Sequence, residues 1–162
     1  MNKKKENNIP PCNIWVDKDG TWYFRGNEMF RKEFVNLFYQ NLTRDDSGRY
    51  IIEMANDRCY IEIEDAPFVV KSVYKTKSEE NDRETINILL NNSDINELDL
   101  STLHIKENNV LYCSVKNKTF NARFSRAGYY QLAEFIEYAE ETDSYYILLN
   151  NKIYTISFLS SQ

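Results

Sequence analysis

Apolar and polar positions alternate along residues 13–16 and 21–25, on either side of the turn Asp17-Lys18-Asp19-Gly20. That pattern predicts a β-hairpin, with glycine accepting the backbone angle a tight turn needs. Phe30, Phe34, Leu37, Phe38 and Leu42 then recur at helical spacing, which predicts a helix with one apolar stripe to lay on a sheet. Lys32, Glu33 and Asn36 face the other way. Residues 50–54 and 59–64 are expected to pair as a second hairpin, and Ser47-Gly48 before them is a further turn signal. The same order returns near the C-terminus. Residues 111–115 and 119–124 flank Lys116-Asn117-Lys118, Ser125 is placed to cap a helix over 126–140, and 145–149 pairs with 153–158 across Asn150-Asn151. In that helix Leu132, Phe135, Ile136 and Ala139 form the stripe.

Between the two copies, 68–77 and 84–90 read as strands around the polar run 78–83, with 103–107 as a third strand and 91–99 as a loop. Strands dominate and each half has one helix, so the predicted class is α+β: a duplicated ββαββ core in two halves, the second enlarged. The expected organisation is a mobile tail over 1–12, one domain over 13–67 and a second over 68–162. Two similar halves make a cleft, and the cleft is the expected place for a ligand.

Composition narrows the function. The chain has 162 residues, 42% hydrophobic and 14% aromatic, enough for one domain or two small ones sharing a core. Its 20 basic and 25 acidic residues give a net charge of −5, which disfavours a nucleic-acid polymer as partner while leaving a small anionic ligand open. Cys12, Cys59 and Cys113 are odd in number, widely spaced and without C-x-x-C, which argues against a disulfide scaffold or zinc site and for a reducing compartment. The Lys- and Asn-rich start leads into Ile9-Pro10-Pro11 and not into an apolar run, so no secretory signal is expected. Without a stretch of roughly 18 apolar residues, no membrane span is expected either, and the default is a cytoplasmic protein.

Little in the sequence points to catalysis. His104 is the only histidine and stands on a predicted strand without an orienting carboxylate, so a structural role is expected. Glu62 and Glu64 alternate with Ile61 and Ile63, placing both carboxylates on one strand face roughly 7 Å apart. A solvated acidic face gives the same pattern and is favoured over acid–base work. Asp65 before Ala66-Pro67 reads as a turn residue. Trp22, Tyr23 and Phe24 are consecutive and must divide between two faces. Arg25, Arg31, Arg58, Arg123 and Arg126 sit at corresponding element ends of the two copies, where a guanidinium fork suits an anion, although a neighbouring acid is the commoner partner for each. No nucleophile, general base, metal cluster, Gly-rich phosphate loop or cofactor motif stands out, so an enzyme is not expected.

The run Asp17-Lys18-Asp19-Gly20-Thr21-Trp22-Tyr23-Phe24-Arg25-Gly26, then Arg31, then Ile61-Glu62-Ile63-Glu64-Asp65-Ala66-Pro67-Phe68, resembles the bacterial family called domain of unknown function 1285. Phe120-Asn121-Ala122-Arg123-Phe124-Ser125-Arg126, followed by Tyr129-Tyr130-Gln131-Leu132, resembles its C-terminal strand and helix start. The resemblance implies a duplicated core whose second half is superficially pleckstrin-homology-like. It also implies a nucleotide-type ligand at the domain interface and a role in signal transduction. By motif position it carries over Trp22, Arg31, Glu64, Asp65 and Arg123, to which Glu62 is added as an acceptor for ligand amino or hydroxyl groups. The expectation is a non-enzymatic sensor of a small anionic or nucleotide-like ligand, with a signalling protein as further partner. The alternative is a protein-interaction module using the barrel-like C-terminal half.

Overall fold

The computed structural model describes residues 8–160 and divides the chain into two compact units, residues 1–65 and 66–162. Of the tail expected over 1–12, residues 1–7 lie outside the described residues. Pro11 and Cys12 are not tail, because the first strand begins at Pro11.

The first unit runs β1 (Pro11–Val16), β2 (Trp22–Phe24), β3 (Asn27–Glu28), α1 (Lys32–Gln40), β4 (Leu42–Arg44), β5 (Tyr50–Met54) and β6 (Asp57–Ile63). These strands form one sheet in the order β3-β2-β1-β6-β5-β4, parallel only between β1 and β6. Asp17 builds the first turn: its Oδ1 accepts the backbone N–H groups of Asp19 and Thr21, both at 2.9 Å. Alternation sends Ile14, Val16 and Trp22 inward, and Trp22 is only 2% exposed. Tyr39 of α1 meets the Trp22 ring edge-on at 4.8 Å and Phe38 stacks on it at 6.1 Å.

The apolar stripe expected to lie on the sheet does not do so along its length. Phe30 is 79% exposed and Phe34 48%. The helix is nine residues long, Phe30 precedes it, and Leu42 belongs to β4. Contact with Trp22 is made from its last turn, which leaves the N-terminal part of the stripe in the open.

The second unit runs β7 (Phe68–Lys77), β8 (Glu84–Leu90), β9 (Ile95–Glu97), a 3-10 turn (Leu100–Thr102), β10 (His104–Lys106), β11 (Leu111–Val115) and β12 (Phe120–Phe124). It continues through α2 (Arg126–Ala133), β13 (Ile136–Ala139), β14 (Ser144–Leu149), β15 (Lys152–Thr155) and β16 (Ser157–Leu159). Seven strands form a sheet in the order β16-β10-β11-β12-β7-β8-β9, and β13-β14-β15 form a second. Ser125 caps α2, its side chain accepting the Gly128 N–H at 3.1 Å. Farther along, Gln131 Oε1 accepts the Val73 N–H at 2.6 Å, next to a register shift in β7 between Val70 and Ser72. The helix thus supplies a partner where the ladder is interrupted.

Two expectations here are corrected. The second helix stops at Ala133, and residues 136–139 are a strand, with Ile136 opposite Ile147 and Tyr138 opposite Tyr145. The segment expected as one strand over 153–158 breaks at buried Ile156, where the chain leaves the three-stranded sheet and β16 joins β10. The order hairpin, helix, hairpin occurs in both units, but the sheets differ. In the first, β1 and β6 lie side by side; in the second, β14 and β15 sit in a sheet apart from β11 and β12. The architecture is sheet-rich α+β.

Candidate functional site

The face of the first sheet that turns away from Trp22 carries a row of side chains set by register. Glu28 pairs with Tyr23, Tyr23 with Trp15, and Trp15 with Glu62, across β3, β2, β1 and β6. Directly paired residues project to the same side of a sheet, so these four form one line. Trp15 is 42% exposed and its ring lies 5.3 Å from that of Tyr23, tilted by 34°. Trp15, Tyr23 and Glu62 of this row, with Asn13, Arg25 and Tyr60, bound a cavity of about 660 Å³, within the size range of small-ligand pockets.

Local backbone geometry shapes this cavity. Asn13 has φ 61°, and the pairing of β1 with β6 slips between Pro11 and Trp15, so β1 bends there. The Arg25 N–H donates to the Asn13 carbonyl at 2.9 Å. Arg25 and Gly26, at φ 49° and 82°, form the two-residue loop between β2 and β3. Glycine is at ease with that angle, whereas an arginine there carries roughly 1–2 kcal/mol of backbone strain. The loop places Arg25 in the lining of the cavity.

The first sheet also carries a covalent link. Cys12 and Cys59 form a disulfide between β1 and β6, which corrects the expectation that the cysteines are free. Sequence spacing hid it: the two are 47 residues apart, but the parallel pairing of β1 with β6 brings their Cα atoms to 5.0 Å, inside the range a disulfide spans. The reducing compartment inferred from the cysteines loses its basis. Cys113, the remaining cysteine, is buried in the second unit, and burial pushes its thiol up to about 12, so it stays protonated and unreactive.

Among the described residues neither Arg25 nor Glu62 is in an ion pair. The guanidinium of Arg25 lies over the Phe24 ring at 5.1 Å. Burial, followed by the charge and hydrogen bond of Asp17, raises the Tyr23 phenol above its ordinary value. It therefore remains protonated and donates to Asp17 Oδ2 at 3.3 Å. The cavity so offers an aromatic pair, one unpaired cation and one unpaired carboxylate.

Of the residues singled out in the sequence, Tyr23, Arg25 and Glu62 line this cavity; Trp22, Arg31, Glu64, Asp65 and Arg123 do not. Trp22 is core. Glu64 Oε2 accepts the Lys18 N–H at 2.6 Å and ties the first turn to β6, so the two glutamates differ in role despite their spacing. Asp65 closes the first unit, half exposed. Arg31 precedes α1 with its guanidinium 6.0 Å over Phe34. Arg123 belongs to the second unit, in a depression with Arg126, Tyr129 and Tyr130. His104 is buried, bonded through Nδ1 to the Thr102 carbonyl at 2.8 Å and stacked on Tyr112 at 5.6 Å, a structural placement. Among the described residues no group of three or more His, Cys, Asp or Glu could hold a metal ion, and no helix is long and apolar enough to cross a membrane. Trp15 was missed in the sequence, although it alternates with Ile14 and Val16 and so had to face away from the core.

Comparison with known proteins agrees with the motifs. Residues 5–66 match the family model described as Domain of unknown function (DUF1285), N-terminal domain. The chain resembles the DUF1285 family. A crystal structure of a DUF1285 family protein from Silicibacter pomeroyi DSS-3 is similar over 93% of this chain and 82% of its own, with 19% identity and a TM-score of 0.72. A DUF1285 family protein from Shewanella baltica OS155 is similar over 76% of this chain and 91% of its own, with 18% identity and a TM-score of 0.61. At such identities the likeness to these two DUF1285 structures is one of fold. No curated protein matches the chain.

Proposed function

We propose that this protein binds a small, ring-bearing anionic ligand of the nucleotide type on the Trp15 face of its first unit, without chemistry on it, as a sensor in signal transduction. The observation that carries the reading is an exposed Trp15–Tyr23 pair sharing one cavity with Arg25 and Glu62, neither in an ion pair among the described residues. The rings offer a stacking surface for a base, Arg25 a fork for phosphate or carboxylate, and Glu62 an acceptor for an amino or hydroxyl group. The reading requires nothing from the second unit. The duplicated core, the pleckstrin-homology-like character of the second half and a ligand shared between the halves are family expectations that lend it no weight. Disulfides persist in oxidising compartments. The cytoplasmic setting therefore goes with this reading only for a reduced Cys12 and Cys59.

The test is a thermal-shift titration of the whole chain with adenosine and guanosine phosphates, with inorganic phosphate alongside. A ligand at about 100 times its dissociation constant stabilises by about 2.7 kcal/mol. The stabilisation should disappear in Trp15→Ala, Arg25→Ala and Glu62→Gln. The absence of a shift across the panel overturns the reading. A second reading, partner binding by the second unit, has in its favour an apolar cleft of about 540 Å³ lined by Tyr129, Tyr138, Tyr145 and Phe158. It predicts a stable complex that the three substitutions leave intact.

A further inference from the structure

A second depression in the first unit, of about 300 Å³, shares Arg25 with the ligand cavity and is otherwise lined by Phe24, Met29, Phe30, Phe34 and Arg31, among others. Phe30 is 79% exposed, Phe34 48%, Phe24 42% and the neighbouring Leu37 38%. Three phenylalanines this exposed around one depression, with Leu37 one helical turn from Phe34 and polar groups at its border, mark a surface that binds another molecule. The two cations say which kind. Arg49, Arg58 and Arg83 each pair with a carboxylate, as expected in a chain of net charge −5. Among the described residues Arg25 and Arg31 do not. Each guanidinium lies instead over a phenylalanine of the depression, at 5.1 Å from the Phe24 ring and 6.0 Å from the Phe34 ring.

We propose that this face docks an acidic segment of another protein, one that sets Phe, Leu or Trp side chains beside Asp or Glu. The apolar anchors fill the space among Phe24, Phe30 and Phe34, and the carboxylates meet the two unpaired guanidinium forks. A second copy of this chain is the competing occupant, and self-association of the full chain tests it. Glu28 also lines the depression and Glu33 stands in the first turn of α1, so the partner's carboxylates are confined to the two guanidinium forks, and a nucleic-acid strand, which needs a broad basic surface, is disfavoured.

The experiment is selection of a displayed random-peptide library on the full chain, with the enriched peptides resynthesised and titrated by fluorescence anisotropy. The expected consensus combines acidic residues with an aromatic or leucine anchor. Affinity should fall at least tenfold in Phe34→Ala and in Arg31→Glu, and Arg31→Glu should gain affinity for the same peptides remade with lysine in place of their acids. Both positions are exposed, so the variants should keep the parent's circular dichroism and melting temperature. Trp15→Ala, which tests the ligand cavity, should leave peptide binding unchanged, so the two proposals fail separately. No enrichment, a neutral or basic consensus, or affinity indifferent to both substitutions overturns the proposal. Self-association of the full chain that Phe34→Ala abolishes also overturns it, by assigning the face to a second copy.

Discussion

Trp15 and Trp22 stand seven residues apart on paired strands and have opposite fates, because strand alternation turns one to each face of the same sheet. The difference is measurable. Trp22→Ala empties a site packed by Phe38 and Tyr39 and should cost about 3–5 kcal/mol in urea unfolding, whereas Trp15→Ala should cost under about 1 kcal/mol. Equal losses would contradict the assignment of the two faces. Alternation alone was enough to place Trp15. The motif likeness instead drew attention to Trp22, whose position it marks without saying which way the ring points. Asp94 gives a prediction in pH. The hydrogen bond from Lys116, at 2.6 Å, with a second from Asn92, holds its carboxyl below the ordinary value of 3.8. A depressed folded value means that the stabilisation is fully present above pH 3.8 and is lost as pH falls through the lower folded value. Asp94→Asn should remove that part of the acid dependence of stability; an unchanged acid limb would show that the pair contributes nothing.

Elements bounded by clear punctuation were legible. β7 and β8 coincide with the segments read from the sequence, because the polar run 78–83 separates two apolar alternations and leaves little choice of end. The overrun of α2 has a physical cause. Ile136 and Ala139 suit a helical stripe, but β-branched and aromatic residues gain more by pairing with Tyr145 and Ile147 in a hairpin than by extending an eight-residue helix. Gly128 shows what holds α2 in place. A Cβ there would stand 2.8 Å from the Val70 carbonyl oxygen, a backbone atom with little room to yield. Gly128→Ala should therefore destabilise the protein despite alanine's helix preference of about 1 kcal/mol, and a gain in melting temperature would refute the close packing of α2 on β7. The disulfide was not legible, since its partners are brought together only by the parallel pairing of β1 with β6. Closing a loop of 47 residues' separation constrains the unfolded chain by about 4 kcal/mol in the chain-entropy model. Reduction, or Cys59→Ser, should lower stability by up to that amount. Intact mass under non-reducing conditions, read beside urea unfolding with and without reductant, checks both the bond and its effect.

For the whole molecule, the two units answer different questions. Sheet-rich α+β architecture, the match of residues 5–66 to a DUF1285 N-terminal domain and the likeness to two DUF1285 structures fix what the chain is similar to. Function has to be argued from sites, because fold alone does not carry it. The residues carried over by motif are distributed across the core, a turn, the approach to α1 and the second unit. The cavity with the exposed aromatic pair is lined by only one of the ligand-binding residues named from the sequence, Glu62. Site legibility was lower than fold legibility for that reason: periodicity tells which residues face a sheet side, but not where a slipped register and a strained loop gather them into a concavity. The central claim is that this cavity binds a ring-bearing anion. It is tested most directly by titrating the full chain with adenosine and guanosine phosphates while following tryptophan emission, since Trp15 is exposed and Trp22 is shielded. Saturable quenching that vanishes in Trp15→Phe and weakens at least tenfold in Arg25→Ala is the predicted result. Quenching that persists unchanged in both variants, or no saturable response to any of these ligands, would contradict the account.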